Sequence, residues 1–475
     1  MTTIETDYLV VGAGAMGMAF TDTLVAESDA EVVVVDRGHA PGGHWTRAYP
    51  FVRLHQPSAY YGVNSRGLGS DSIDRLGWNE GLYELATVGE ICAYFDRVMQ
   101  QDLLPSGQVS YFPMAEYLGE GRFRTLDGSD YAVDVRKRVV DATYLQTTVP
   151  SMRPPPYQVG DGVDCVPPNE LPALAAGRDR FVVIGAGKTG IDACLWLLRN
   201  NIPPERLTWI MPRDAWLWDR ANIQPGREFL QRFQSGFTDR LIAIESASSV
   251  ADLFERLEAC GYLLRLDQAK QPTMYRCATV TQTELQQLRR IRDIVRLGRV
   301  DRIEPGKVIL AGGSIPVDGS ALYVDCSADG LEKKPHQTVF DGDRITLQSV
   351  RGCQQVFSAG LIAHVEAAYH DDATRNRLCQ AVPHPNTDLD WLTTTIAEQR
   401  NQIHWFEDAD LMTWMCEARL DLMRHMYTPL MDKTPEVRAK VFGLIRAGLE
   451  SANRKLEMLV SEHLSGLPQA AESGH

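Results

Sequence analysis

Two glycine-rich turns carry the clearest chemistry in the chain: Gly12-Ala13-Gly14-Ala15-Met16-Gly17 and Gly185-Ala186-Gly187-Lys188-Thr189-Gly190. Each follows an apolar run of the kind that forms a buried parallel strand and precedes a helix-like segment. In such a turn the first glycine permits the tight bend, the second lets backbone approach a pyrophosphate, and the third lets helix and strand pack closely. The free N–H groups and dipole of the following helix then favour the phosphates. A single such motif is weak, because ordinary tight turns also use glycine. Two in strand-to-helix context point to two dinucleotide sites.

The residues after each turn separate the two sites. Asp36 closes the strand Glu31 to Asp36, where a carboxylate can accept from both adenosine ribose hydroxyls and repel a 2'-phosphate. The first site therefore suits FAD or NAD. At the second, no acid ends the strand Arg206 to Met211, and Arg213 stands where a guanidinium would match a 2'-phosphate. That favours NADPH, with Lys188 facing pyrophosphate and Thr189 capping the helix; the alternative is a solvated Arg213 partly neutralised by Asp214. The letters GKT in this motif also invite an ATP-binding P-loop reading. That reading fails, because the glycine required five positions before the Gly-Lys pair is Val182.

Around these turns the chain reads as α/β, with two Rossmann-like dinucleotide-binding domains, for FAD and NADP, and a C-terminal helical extension. The expected divisions are 1–165 for the first part of the FAD domain, 178–298 for an inserted NADP domain with a helical insertion, 299–372 for the second FAD part, and 373–475 for the extension. A Pro-rich stretch from Val149 to Pro168 reads as a linker. VFSAGLIAHVEAAY, Val356 to Tyr369, reads as strand to helix through Ser358-Ala359-Gly360. Trp209, Trp216 and Trp218 lie close together in sequence; they line a cavity or serve as packing.

The motifs GAGAMG, VVDRGHAPGGHW, GAGKTG and VDCSADG, in that order, resemble those of the flavin-containing monooxygenases and their Baeyer-Villiger and N-hydroxylating relatives, over about residues 5 to 370. The resemblance implies FAD at the first turn, contacted by Gly12, Gly14, Gly17, Asp36 and Arg37. It also implies that the Gly42-Gly43 turn runs along the ribityl chain, placing Gly43, His44 and Trp45 near the flavin ring. Gln56 stands near a family asparagine that supports oxygen on the flavin, with His55 or Arg53 supplying a proton or positive charge. Asp141 and Ala142, then Asp329, would mark later returns of the chain to FAD, and Gly360 would face the flavin's pyrimidine end. NADPH would use Gly185, Gly187, Lys188, Thr189, Gly190 and Arg213.

The activity so implied is NADPH-dependent monooxygenation of a small organic substrate by molecular oxygen, through a flavin C4a-peroxy intermediate. A flavin oxidase or dehydrogenase with a degenerate NADP domain, and a non-catalytic FAD-fold binding protein, are the alternatives. The family's F-x-G-x-x-x-H segment is absent from the interval Val159 to Leu171.

Composition sets the remaining bounds. The 475 residues suffice for two or three domains, and 44% hydrophobic with 23% charged content is that of a globular chain. A net charge of -14 argues against a nucleic-acid partner. No apolar run reaches the length of a membrane span and no signal peptide is read, so a cytoplasmic location is expected. Nine scattered cysteines without a C-x-x-C pair or adjacent histidine read as reduced thiols, and no metal site is expected. The final helices could serve as a homodimer face.

Overall fold

The valines of Val32–Val35 are all buried, without the alternation of a half-exposed strand. Their place explains it: they lie inside a largely parallel sheet covered on both faces. In the computed structural model, which describes residues 2–331 and 334–465, strand Thr2–Val11 is central. It pairs with Val32–Val35 on one side and Asp130–Asp141 on the other, both parallel. Val109–Phe112 extends one edge and Arg344–Thr346 the other, again parallel. Residues from both ends of the expected FAD domain therefore share one sheet. Helix Ala15–Glu27 leaves the first glycine turn and packs against helix Gln355–Ala368.

A second parallel sheet has the order Asp293–Val295, Leu207–Ile210, Arg180–Ile184, Ala321–Asp325, Cys165–Val166. Here two expectations need correction. Ala321–Asp325, assigned from the sequence to the second FAD part, lies beside Arg180–Ile184 in the second sheet. The Pro-rich linker also contributes structure, since Gln158–Val159 pairs with Val300–Glu304 and Cys165–Val166 with Ala321–Asp325. The prolines lie outside these short strands, at 154–156 before the first and at 167–168 after the second, so the pairing N–H groups fall on other residues.

A third correction concerns Gly360. Residues Gln355–Ala368 form one continuous helix, without the expected strand. Ser358 Oγ donates to Gln354 O and accepts from Val350 N within the chain. A Cβ at Gly360 would lie 3.1 Å from Asn64 Nδ2 and 3.4 Å from Thr23 Oγ1. Gly360 thus permits a close approach to helix Ala15–Glu27, and small residues that read as a turn are those of a packed helix.

The C-terminal helices are joined to both units. Trp405, Leu411 and Met415 enter the core of the first, while Trp391 and Leu456 share a cluster with Phe254 beside the second. Arg351 and Asp421 form an ion pair at 2.5 Å with side chains 1% and 0% exposed. The thiol expectation also fails at one place: Cys277 and Cys353 form a disulfide across a Cα separation of 6.5 Å. Their 76-residue separation hides the pair from any spacing rule. No described helix is long and apolar enough to cross a membrane.

Candidate dinucleotide sites

Both glycine turns are built in the same way. Gly12 has φ +106° and Gly185 has φ +124°, conformations that favour glycine. A Cβ at Gly17 would run into the Gly12 carbonyl oxygen, and one at Gly190 into that of Gly185. Each turn rests on a returning strand end. Ala142 N donates to Val11 O and its side chain packs under Gly12 and Gly17. Cys326 N likewise donates to Ile184 O, and a Cβ at Gly185 would lie 2.5 Å from Cys326 O. The CSADG turn therefore returns to the second site, where sequence reading had assigned it to FAD. Asp329, accordingly, pairs with Arg276 at 3.1 Å beside that second unit.

At the first turn neither Gly14 nor any neighbour caps helix Ala15–Glu27 with a side chain. Its leading N–H groups stay available to an anion. Asp36 Oδ2 accepts from Ala13 N and Oδ1 from Gly38 N, each at 2.5 Å. Arg37 beyond it is exposed. The Gly42-Gly43 turn crosses the second glycine: a Cβ at Gly43 would lie 2.9 Å from Gly14 Cα. Trp45 is buried and donates from Nε1 to Tyr61 Oη at 2.6 Å, with His44 against its face. Asp141 is committed elsewhere, accepting from Thr143 and pairing with Arg344 at 2.6 Å. Tyr111, which the sequence did not single out, has a buried hydroxyl without a partner, and burial with the neighbouring Asp36 charge raises its pKa.

At the second turn a Cβ on Gly187 would meet open space, and helix Lys188–Arg199 also lacks a side-chain cap. Lys188 pairs with Asp192 one helical turn on, so its ammonium is shared with that carboxylate. Arg213 donates to Asn386 Oδ1 at 3.0 Å, and Arg276 reaches the same oxygen. Burial, then the charges of Arg276 and Arg299, push the Arg213 pKa down. Asp214 does not neutralise it, being held by Arg296 at 2.7 Å. The tryptophans divide: Trp209 is buried with Nε1 on Gly185 O, Trp216 stacks on Phe254, and Trp218 lines a cavity.

The segment from Tyr49 to Gln56 joins the two sites. Tyr49 donates to Asp192 at 2.7 Å, Phe51 packs on Trp196, and the Arg53 carbonyl accepts from Lys188. Arg53 itself is exposed. The buried Arg220, unrecognised in the sequence, donates to the His55 carbonyl at 3.0 Å and pairs with Glu284. His55 and Gln56 line a small pocket with Tyr60, Trp218 and the Cys277–Cys353 pair. Gln56 Nε2 makes one long bond, 3.4 Å, to Tyr60 O, and His55 Nδ1 is buried without a partner.

Loss of water pushes the His44 pKa down to about 4; the same effect, with the Lys188 and Arg220 charges, pushes His55 to about 3. His55 is therefore neutral at neutral pH, so of the expectation that His55 or Arg53 supplies a proton or positive charge, a positive charge from His55 does not fit. Because the folded values lie below the unfolded one, the stability tied to the neutral rings is whole above about pH 6.5. It is lost as pH falls through the folded values, at no more than about 1.4 kcal/mol per pH unit for each ring. Urea midpoints should be flat near neutrality and fall in acid, and a His55→Gln variant should fall less steeply. A slope unchanged by His55→Gln would place the acid sensitivity elsewhere.

Residues 10–63 match the NAD(P)-binding Rossmann-like domain family. Over 458 residues the chain is 61% identical to uncharacterized protein Rv2000 of Mycobacterium tuberculosis, covering 96% of this chain and 85% of that protein. The same figures hold for uncharacterized protein Mb2023 of Mycobacterium bovis. Among solved structures, a flavin monooxygenase mutant from Stenotrophomonas maltophilia is 16% identical, with a TM-score of 0.44 over 78% of this chain and 100% of that one.

Proposed function

The chain belongs to the family of the mycobacterial proteins Rv2000 and Mb2023, and we propose that it is an FAD-dependent oxidoreductase which draws reducing equivalents from NADPH and acts as a monooxygenase on a small organic substrate. The observation that carries this reading is the segment Tyr49 to Gln56. It leaves the Gly42-Gly43 turn of the first site and is bonded to the helix that opens the second. Two dinucleotide turns so connected serve one reaction more readily than two separate ones.

The residues present fit FAD at the first turn. Gly12, Gly14 and Gly17 give the backbone path, the uncapped helix offers N–H groups, and Asp36 with the unpartnered Tyr111 hydroxyl supplies polar groups for the adenosine end. Bound there, the flavin supplies hydride acceptance and activation of dioxygen. The chain's own part is positioning and exclusion of water. Gly43, His44 and Trp45 wall the site, with Trp45 fixed through Tyr61. Gln56 can donate an amide N–H into its pocket, while neutral His55 can accept or donate a hydrogen bond there without adding charge. Arg220 holds the His55 backbone in place. At the second turn Gly185, Gly187 and Gly190 shape the approach, Thr189 and Lys188 open the helix, and Arg213 with Arg276 offers guanidinium groups to a 2'-phosphate.

Arg213→Ala should lower the preference for NADPH over NADH at least tenfold, since one charge-assisted contact is worth roughly 1.5–3 kcal/mol. The ratio of kcat/KM for the two coenzymes measures it, and an unchanged ratio removes Arg213 from the site. The monooxygenase reading is tested by supplying isotopically labelled dioxygen with NADPH. One labelled oxygen atom should enter product for each NADPH consumed, whereas release of all consumed oxygen as hydrogen peroxide would indicate an oxidase.

A further inference from the structure

Beyond the Gln56 pocket, of about 20 Å³, lies a larger chamber, of about 100 Å³, between the 222–275 segment and the C-terminal helices. The two spaces share Trp218, Cys277, Cys353 and Leu422 as a common wall. Six aromatic side chains line the chamber: Trp218, Phe233, Phe237, Tyr262, Tyr275 and Trp391. Among its lining polar groups, donors without a partner outnumber the acceptor without one, Gln402 Oε1. Trp218 Nε1, Arg240 Nε and both Nε and Nη2 of the wholly buried Arg351 have no hydrogen-bond partner. The Arg240 guanidinium lies over the rings of Phe237 and Tyr262, at 5.5 and 5.7 Å, and has one long bond to the Tyr262 hydroxyl. Unpartnered donors of this kind cost free energy unless something accepts from them.

The acidic groups nearby do not fill that need. Asp421 meets Arg351 through Oδ1 and is not among the residues lining the chamber, and its Oδ2 has no partner. Glu398, which also lines the chamber, lies against Gly352 and Gln402; burial pushes its pKa up, opposed by the charges of Arg240 and Arg351. An aromatic enclosure with surplus N–H donors and two buried guanidinium groups suits a ligand with an apolar body and an anionic, acceptor-only head.

We propose that this chamber is the substrate site, and that the substrate is an aromatic or otherwise bulky apolar molecule carrying a carboxylate, which Arg240 and Trp218 Nε1 receive. The binding claim stands on the chamber alone; its identification as substrate site rests on the flavin-dependent reading, through the wall shared with the Gln56 pocket. Gln56 and His55 face the near side of that wall. A body extending past Leu422 and Trp218 would come up against them.

Calorimetric titration of the full chain, loaded with FAD, tests this with three probes of one shape: phenylbutyrate, phenylbutanol and phenylbutylamine. The acid should bind at least tenfold tighter than the alcohol or the amine. Arg240→Gln should weaken the acid at least tenfold and leave the alcohol unchanged; Trp218→Phe, which keeps a ring and deletes the N–H, should weaken the acid severalfold. Equal binding of acid and alcohol, preference for the amine, or undiminished acid binding in a folded Arg240→Gln protein would overturn the proposal. If Arg240→Gln does not fold, the ranking of the three probes on the wild-type chain decides it. Acid binding in a protein whose flavin NADPH cannot reduce would leave the chamber standing and remove the NADPH-dependent reading. Normal reduction without acid selectivity would do the reverse.

Discussion

Gly190→Ala should yield little or no folded protein, whereas Gly187→Ala, three residues earlier in the same turn, should fold with an unchanged melting temperature and lose NADPH binding at least tenfold. The contrast follows from where each new methyl group goes. At Gly190 it meets the Gly185 carbonyl oxygen, a backbone atom fixed by Trp209 Nε1 at 2.8 Å and by the strand it ends. Neither side can give without parting helix Lys188–Arg199 from strand Arg180–Ile184. Overpacking usually costs about 1–3 kcal/mol, and more where rigid backbone is the obstacle. At Gly187 the methyl group enters open space and strains nothing. Its φ of -82° is available to alanine. The open space is where a pyrophosphate would approach the uncapped helix, so the methyl group blocks the ligand alone. Thermal melts and a fluorescence titration with NADPH on both variants check the pair. Full NADPH affinity in Gly187→Ala would show that the second turn is not a coenzyme site.

These turns were legible in the sequence because their demands fall on neighbouring residues. A strand, a bend that favours glycine and a close helix approach leave a pattern within a few positions, and Asp36 and Arg213 follow at a distance fixed by one helix and one strand. What could not be read are partnerships between distant segments. Arg220 meets the His55 carbonyl 165 residues away, Tyr49 meets Asp192, and Arg276 joins Arg213 through Asn386. Cys277 and Cys353 meet because strand Met274–Val280 and the segment Arg351 to Cys353, which leads into helix Gln355–Ala368, line one chamber. Gly360 and the Val149 to Pro168 stretch were misread for a related reason. Small residues and prolines mark turns by local preference, and tertiary packing used them otherwise: Gly360 for a helix contact, and the Pro-rich stretch for two strand pairings.

Asp421→Leu should be the most destabilising change outside the turns, by about 3–5 kcal/mol, because it leaves Arg351 buried without a counter-charge. The guanidinium packs 4.0 Å from the centre of the Phe357 ring and 4.9 Å from that of Trp405, so it cannot swing out to water. A loss of that size is a large share of the 5–15 kcal/mol available to a typical domain. Asp421 Oδ1 also accepts from Met423 N at 2.8 Å, which adds to the cost. Arg351→Met with Asp421→Leu should recover most of the loss, since apolar side chains of similar size can replace a buried pair. Urea unfolding of the single and double variants measures this. A double variant no more stable than Asp421→Leu would mean that the pair is needed for more than its charge balance.

The two turns are proposed to serve one reaction, and anaerobic mixing of the FAD-loaded protein with NADPH examines that directly. The oxidised flavin band should bleach on NADPH alone, before any organic substrate is added, and bleach far more slowly with Gly187→Ala. A flavin band that NADPH leaves unchanged, but that an organic substrate bleaches unaided, would contradict the account.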